Sequence, residues 1–204
     1  MKNKFSLGFL TLVLTALLLA SCSKVPQAEI DAANAAIEEA KTAGADIYVH
    51  EDYIALQDSL NAVMANIEAQ KSKFIKNYST LKDQLSGITA YAQEVKQKTE
   101  TRKAELKTEI ENTIAEVKTL VETNRQLILE APKGKEGTSA LVAIKDELNA
   151  VETSINEANS MLESGEYLTA LDKAKAAKEK ANSINAELTE VIAKYKANVK
   201  GKKS

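Results

Sequence analysis

The sequence predicts an all-α protein made of elongated antiparallel helical hairpins with coiled-coil packing and one very long central helix. Ala, Lys, Glu and Leu are the commonest residues, and only two prolines and seven glycines occur in 204 residues, which is typical of long helices and coiled coils. Apolar residues recur every three or four positions over most of the chain, as on one face of a helix. The interruptions are short, so helices that follow each other in sequence are expected to be antiparallel neighbours.

The first 21 residues have the pattern of an export signal. Lys2 and Lys4 precede an apolar run from Phe5 to Ala20, which is shorter than the about 20 residues that a membrane-spanning helix needs. A basic start, a short apolar run and small residues at its end are typical of a secretory signal. We therefore predict that residues 1–21 are a cleaved signal peptide.

The end of this run predicts a lipid anchor. Leu19-Ala20-Ser21-Cys22 resembles the bacterial lipobox, a motif that directs lipid transfer to the cysteine and cleavage before it. Cys22 is the only cysteine, so it has no disulfide partner within the chain, and a free thiol is unfavourable in an oxidising compartment. Stable anchoring needs more than one acyl chain, and the lipobox implies a diacylglyceryl group plus an N-acyl chain. The alternative is an ordinary cleaved signal that happens to contain a cysteine.

The residue after the cysteine bears on localisation. Enterobacterial lipoproteins with Asp at this position tend to stay in the inner membrane, so by resemblance Ser23 indicates the outer membrane, facing the periplasm. We predict residues 22–25 as a lipidated linker, residues 26–197 as an all-helical domain, and residues 198–204 as a flexible basic tail.

Each helix is predicted from its apolar seam, meaning the row of apolar residues along one of its faces. The first helix is expected from about Pro26 to Ala43, because proline suits the first helical turn and Gly44 suits the position after the last. A second pattern starts near Glu51 and reaches Pro132, which as one helix would measure ~120 Å at ~1.5 Å per residue. Its first seam consists of Tyr53, Leu56, Leu60, Val63, Ile67, Phe74, Tyr78, Leu81, Leu85, Ile88, Ala92 and Val95.

The stretch from about Phe74 to Val95 has no obvious partner in this scheme. Either the chain folds back near Gly87, or another subunit or another protein covers the stretch. Polar residues from Lys96 to Lys103 then interrupt the seam, which resumes through Leu106, Ile110, Thr113, Val117, Leu120 and Leu127.

Two further helices are predicted after Pro132. The third has Thr138 or Ser139 as its N-cap and ends at Gly165, with the seam Leu141, Ile144, Leu148, Val151, Ile155, Ala158 and Leu162. The fourth has the seam Tyr167, Ala170, Ala174, Ala177, Ala181, Ile184, Leu188, Val191 and Tyr195.

Two short patterns resemble a known family. Ala33-x-x-Ala36-Ile37-x-x-Ala40-x-x-x-Gly44-Ala45-x-x-Tyr48 and the later Gly165-x-Tyr167-x-x-Ala170 resemble the opening and a second helix start in a family of uncharacterised bacterial lipoproteins with helical-hairpin domains. The resemblance implies an all-helical envelope protein. Some members carry a peptidoglycan-binding domain, which this sequence lacks, so that association is not transferred.

The composition argues against several classes of function. Without Lys2 and Lys4 the chain has 25 basic and 29 acidic residues, a net charge of −4, which gives no basic surplus for nucleic-acid phosphates. His50 is the only histidine, and with Cys22 acylated no second nitrogen or sulfur ligand completes a metal site. No nucleophile motif or phosphate-binding loop is present, so no enzyme activity, cofactor or metal is predicted.

The predicted function is a membrane-anchored envelope lipoprotein with a structural or protein-interaction role, as an adaptor or scaffold. Its expected partners are the lipid bilayer, through acylated Cys22, and an envelope protein or a second copy of the chain, through the helical seam. The alternative is a helical module that binds a peptide or apolar ligand in the periplasm, with Tyr48, Tyr53, Tyr78 and Tyr91 as candidate contacts.

Overall fold

The protein is all-α in a computed structural model, which describes residues 24–132 and 135–201. We number the helices α1 (Gln27–Thr42), α2 (Ala45–Tyr48), α3 (His50–Lys71), α4 (Ser79–Glu130), α5 (Lys135–Ser164) and α6 (Tyr167–Gly201). No strand occurs among the described residues. The predicted fold class is therefore confirmed, including a very long helix, because α4 has 52 residues.

The chain divides into two compact units within α4, between Arg102 and Lys103. Unit 1 comprises α1, α2, α3 and the first part of α4, and unit 2 comprises the rest of α4 with α5 and α6. The division lies in the polar stretch Lys96 to Lys103 that interrupts the seam.

Unit 1 is a bundle of three main helices. Glu29 pairs with Lys82 at 2.9 Å and Glu39 pairs with Lys96 at 2.9 Å, so α1 and α4 run parallel. Asp52 at the start of α3 pairs with Lys98, far along α4, at 2.5 Å, so α3 runs antiparallel to both. The core contains apolar side chains from all three helices, including Ile37, Leu56, Ile67, Leu85 and Val95.

The chain reverses direction at residues 72–78 and not near Gly87, which lies inside α4. A single helix from Glu51 to Pro132 is therefore wrong, and Phe74 is fully exposed instead of lying in the seam. The turn contains neither glycine nor proline; Ser72 Oγ donates to the Ala69 carbonyl at 2.9 Å, and Asn77 Oδ1 accepts from the Ser79 amide at 2.9 Å. From Tyr78 to Val95 the seam is buried against α1 and α3, so the stretch that lacked a predicted partner packs within its own unit.

Unit 2 has the same up-down-up order of helices. Glu109 pairs with Lys175 at 2.7 Å and Glu130 pairs with Lys196 at 3.2 Å, so α4 and α6 run parallel. The antiparallel direction of α5 follows from two pairs with α6, Glu147 with Lys180 and Glu157 with Lys173.

The seam of α4 in unit 2 is buried as predicted at Leu106, Ile110, Thr113 and Val117, and it is displaced from the prediction after Val117. Leu120 and Leu127 are only partly buried, while the fully packed row is Ile110, Ile114, Val117, Val121, Asn124 and Ile128. Thr113 is also buried, so the apolar stripe is wider than two residues per heptad. A wide stripe is required because each helix of a three-helix bundle packs against two others.

Two glycines end helices in the left-handed region of backbone space. Gly44 after α1 has φ of 96° and Gly165 after α5 has φ of 85°, conformations that residues with a Cβ rarely adopt. Both positions were predicted as helix ends.

Other predicted bounds shift by a few residues. The helix α5 starts at Lys135, earlier than the predicted N-caps Thr138 and Ser139, and α6 continues to Gly201, beyond residue 197. Near the end of α6, Val191 and Tyr195 are exposed and Ile192 is buried in place of Val191.

Candidate functional site

The predicted anchor, Cys22 with Leu19, Ala20 and Ser21, lies outside the described residues, which begin at Lys24. Lipidation therefore stays a prediction. The structure does define where the chain enters unit 1. Val25 packs against the core cluster that contains Tyr78 and Leu81, and Glu29 in the first turn of α1 bonds Lys82 in the first turn of α4. The start of α1 and the turn before α4 thus lie at the same end of unit 1.

That shared end contains an exposed apolar pair that the sequence prediction missed. Phe74 is fully exposed, and Ile75 is 71% exposed. Both lie in the 72–78 turn, next to Lys71, Lys73 and Lys76. The missed signal was the sequence Lys-Ser-Lys-Phe-Ile-Lys-Asn itself, in which polar residues flank the apolar pair on both sides.

The four tyrosines considered as ligand contacts do not form a common binding surface. Tyr53 and Tyr78 are core residues, 5% and 2% exposed. The Tyr48 ring lies close to the backbone that connects α1 to α3, since a Cβ atom added at Gly44 would be 3.1 Å from it. Only Tyr91 adjoins an open groove.

Tyr91 belongs to a small polar cluster on the surface of unit 1. Burial raises the pKa of the Tyr91 hydroxyl, and the nearby Asp52 carboxylate adds to the rise. The hydrogen bond from Lys98 to Asp52, 2.5 Å long, raises the pKa of the lysine. The hydrogen bond between Lys98 and Asp52 joins α4 to α3.

Charged pairs between helices are otherwise typical of solvent-exposed bundle faces. Hydrogen bonds from Lys82 and Lys96 lower the pKa values of Glu29 and Glu39, respectively. Exposed pairs of this kind contribute little stability each, but they select the register between neighbouring helices.

The grooves on both units are shallow and open to solvent. In unit 1, α3 and α4 border a groove of about 380 Å³ that includes Val63, Gly87, Ile88 and Tyr91. In unit 2, a groove between α5 and α6 has a volume of about 550 Å³ and is bordered mostly by small and charged side chains.

A second exposed apolar pair lies on unit 2. Leu129 of α4 is 66% exposed and Val142 of α5 is 53% exposed. They line the same groove as Ile128, Leu141 and Lys145. The pair therefore forms a continuous apolar strip across two helices.

Potential metal ligands are not clustered among the described residues. His50 is exposed, with Nδ1 2.9 Å from the Asp46 carbonyl oxygen of the preceding turn. No group of three or more His, Cys, Asp or Glu side chains is placed to hold a metal ion in residues 24–132 and 135–201. Within the same ranges, no helix is long and apolar enough to cross a membrane.

Comparison with known proteins identifies no family and no relative for this chain. No protein-family profile, no curated protein and no solved structure matches this chain. The resemblance to helical envelope lipoproteins therefore depends on the two short patterns alone.

Proposed function

We propose that this protein is a membrane-anchored lipoprotein of the bacterial cell envelope with a structural or protein-interaction role, as an adaptor or scaffold, and that it is not an enzyme. One observation carries the proposal: Leu19-Ala20-Ser21-Cys22 is followed within five residues by the first residue of a packed helix, Gln27. Acyl chains on Cys22 attach the helical body to the outer membrane, facing the periplasm. The resemblance to helical envelope lipoproteins supports the same setting.

The exposed strip on unit 2 supports the interaction role. Leu129 and Val142 leave apolar surface in water beside Leu141, and contiguous exposed apolar surface often marks a protein-binding site. The groove between α4 and α5 accepts the apolar face of one partner helix from an envelope protein, since helices recognise grooves in this way. Lys145 at its edge favours a partner with an acidic rim.

The surface proposed here differs from the one predicted from the sequence. The seam from Tyr78 to Val95 is buried inside unit 1, so association through that seam is not part of the proposal. The strip on unit 2 takes its place because it is exposed in the folded chain.

Two measurements test the proposal separately. Mass spectrometry of the membrane-extracted protein should find Cys22 as the acylated first residue, and Cys22→Ser should release the protein from membranes. A photo-cross-linking residue at Leu129 should capture one recurrent envelope protein, whereas the same residue at the exposed Asn156 should not. An unmodified Cys22 would refute the anchor, and equal capture at both positions would refute the docking strip.

A ligand-binding module is the second candidate because an open groove in unit 1 has room for a ligand beside the exposed Gly87. A Cβ on Gly87 would meet no atom within 4 Å, and Tyr91 and Ile88 flank the same groove. An apolar ligand at 100 times its Kd would stabilise the fold by about 2.7 kcal/mol. Thermal shifts with peptides and fatty acids test this, and Gly87→Leu should abolish any shift by filling the groove.

A further inference from the structure

The turn between α3 and α4 presents two apolar side chains to solvent on a well-defined backbone. Phe74 is fully exposed and Ile75 is 71% exposed. Side chains of Ser72 and Asn77 bond the backbone at the two adjoining helix ends, and the Lys73 amide donates to the Gln70 carbonyl at 3.2 Å. We call residues 72–77 the apolar tip. Two adjacent large apolar residues held in this way are a contact surface, because burial of either would stabilise the protein.

The charge around the apolar tip is positive. Lys71, Lys73, Lys76 and Lys82 fall between residues 69 and 82, and this stretch contains no Asp or Glu. Lys71 pairs with Glu68 at 2.6 Å, and Lys82 pairs with Glu29. For Lys73 and Lys76 no ion pair occurs among the described residues, so these two charges flank the apolar pair without neutralisation. An apolar wedge between lysines matches the interface of a membrane that contains anionic lipids.

The position of the tip in unit 1 selects the membrane over a protein partner. The start of α1 and the start of α4 are joined by the Glu29–Lys82 bond of 2.9 Å, and Val25 packs against the core beside Tyr78. Cys22 precedes Gln27 by five residues, a span of at most ~18 Å in an extended chain. Acyl chains on Cys22 therefore hold this end of unit 1 close to the bilayer surface.

We propose that the apolar tip is a second membrane contact, in which Phe74 and Ile75 insert among the head groups of the bilayer that holds Cys22. Lys73 and Lys76 contact the phosphates of anionic lipids on either side of the inserted pair. The inference rests on the lipid anchor proposed above, and it adds a stated binding partner for residues outside the anchor.

The lipid anchor strengthens the binding of the apolar tip to the membrane. Two apolar side chains and two lysines bind a membrane only marginally on their own, as single anchoring signals do. Once Cys22 is in the bilayer, contact by the tip becomes an intramolecular event at a local concentration of about millimolar or more. The same tip is therefore bound in the acylated protein and largely unbound in an unacylated one.

The absence of tryptophan from the chain allows a direct test. Acylated protein carrying Phe74→Trp is reconstituted into vesicles of phosphatidylcholine with about 30% phosphatidylglycerol, an anionic lipid. Tryptophan fluorescence emission is then recorded with and without acyl-brominated phosphatidylcholine in the vesicles. Insertion predicts a blue-shifted emission and at least about threefold quenching by bromine, because the indole lies at the acyl boundary. Ile47→Trp is the matched control, since Ile47 is 60% exposed in α2, at the end of unit 1 opposite the apolar tip, and its emission should not change.

A charge variant tests the role of the lysines. Lys73→Gln/Lys76→Gln added to Phe74→Trp should reduce quenching by at least about half, and vesicles without phosphatidylglycerol should have the same effect. Helix content and melting temperature should stay at the values of the unsubstituted protein, because Lys73 and Phe74 are exposed and Lys76 is only partly buried.

The outcomes separate this inference from the proposed function. Vesicle flotation with no quenching of the Phe74→Trp variant would overturn the tip and leave the anchor intact. No acylation of Cys22 would overturn both. Quenching in vesicles together with cross-linking of position 74 to lipid in cells would support the tip, whereas cross-linking of that position to one protein would assign it to a protein partner and overturn the membrane contact.

Discussion

A buried amide in unit 2 gives the sharpest test of how the helices are held in register. Asn124 of α4 is 0% exposed. Its Nδ2 donates to the Ala181 carbonyl at 2.8 Å, and its Oδ1 accepts from Asn185 Nδ2 at 2.8 Å. Both partners belong to α6, so one side chain fixes where α6 lies along α4. A polar residue at a single core position commonly specifies register in helical bundles.

The expected cost of Asn124→Ala follows from these contacts. Loss of two hydrogen bonds removes about 1 kcal/mol each, and the part-buried Asn185 amide loses its acceptor at a further cost of about 1 kcal/mol. The better helix propensity of alanine returns about 0.6 kcal/mol. The net loss is therefore about 2–3 kcal/mol, or a fall in Tm of roughly 10 °C if unit 2 unfolds as a body of about 100 residues.

Urea denaturation followed by circular dichroism measures this change. Asn156→Ala is the control, because Asn156 is an exposed residue of α5 and its replacement should leave stability unchanged or slightly raised. Asn124→Leu removes the same two hydrogen bonds but retains side-chain volume, so it should still lose about 1–2 kcal/mol, with burial of the leucine offsetting part of the cost. A loss below about 0.5 kcal/mol for Asn124→Ala, or an Asn124→Leu variant as stable as the parent, would refute the hydrogen-bond argument.

Three further predictions concern unit 1 and the helix ends, each measured by thermal or chemical unfolding. Alanine should have different effects on the free energy of unfolding at three glycines. Gly44→Ala should cost more than about 2 kcal/mol because φ is positive and the new Cβ would lie 3.1 Å from the Tyr48 ring, and Gly165→Ala should cost about 1 kcal/mol because of its positive φ alone. Gly87→Ala should stabilise the helix by about 0.8 kcal/mol, and equal effects at all three positions would contradict the backbone argument. Tyr78→Phe should stabilise by about 1 kcal/mol, because the buried hydroxyl has no hydrogen-bond partner among the residues that the structure describes, and a loss of stability would contradict this. The pKa of Glu39 is lowered in the folded protein, so this group contributes stability that is present above about pH 4.3 and is lost as pH falls through the folded pKa. Glu39→Gln should therefore reduce the dependence of unfolding free energy on pH between pH 6 and pH 3. An unchanged slope would contradict this.

Periodicity predicts the helices because burial of one face is what stabilises them. The seam of α5 from Ile144 to Ala158 is buried as predicted, and Gly44 and Gly165 end helices at positive φ. The reversal at residues 72–78 was not predictable from glycine or proline, since the turn contains neither. Ser72 and Asn77 close the helix ends with their side chains, and such residues also occur inside helices.

The candidate sites were predictable only in part. A local motif is enough to predict Cys22 as the anchor, because the lipobox pattern is contiguous in sequence. The apolar tip required the fold, since Phe74 fits the seam spacing and only the reversal of the chain exposes it. Asn124 was missed for a related reason: the predicted seam used Leu120 and Leu127, one position away from the packed row.

The odd number of main helices in unit 1 determines the end of the bundle at which the chain leaves it. A bundle with an even number of helices returns the chain to the end at which it entered, whereas three helices deliver it to the opposite end. Residues 79–102 of α4 cover about 36 Å at ~1.5 Å per residue. Within unit 1 the chain therefore leaves the bundle at Arg102 about 36 Å along its axis from the end at which α1 begins, a distance set by helix length.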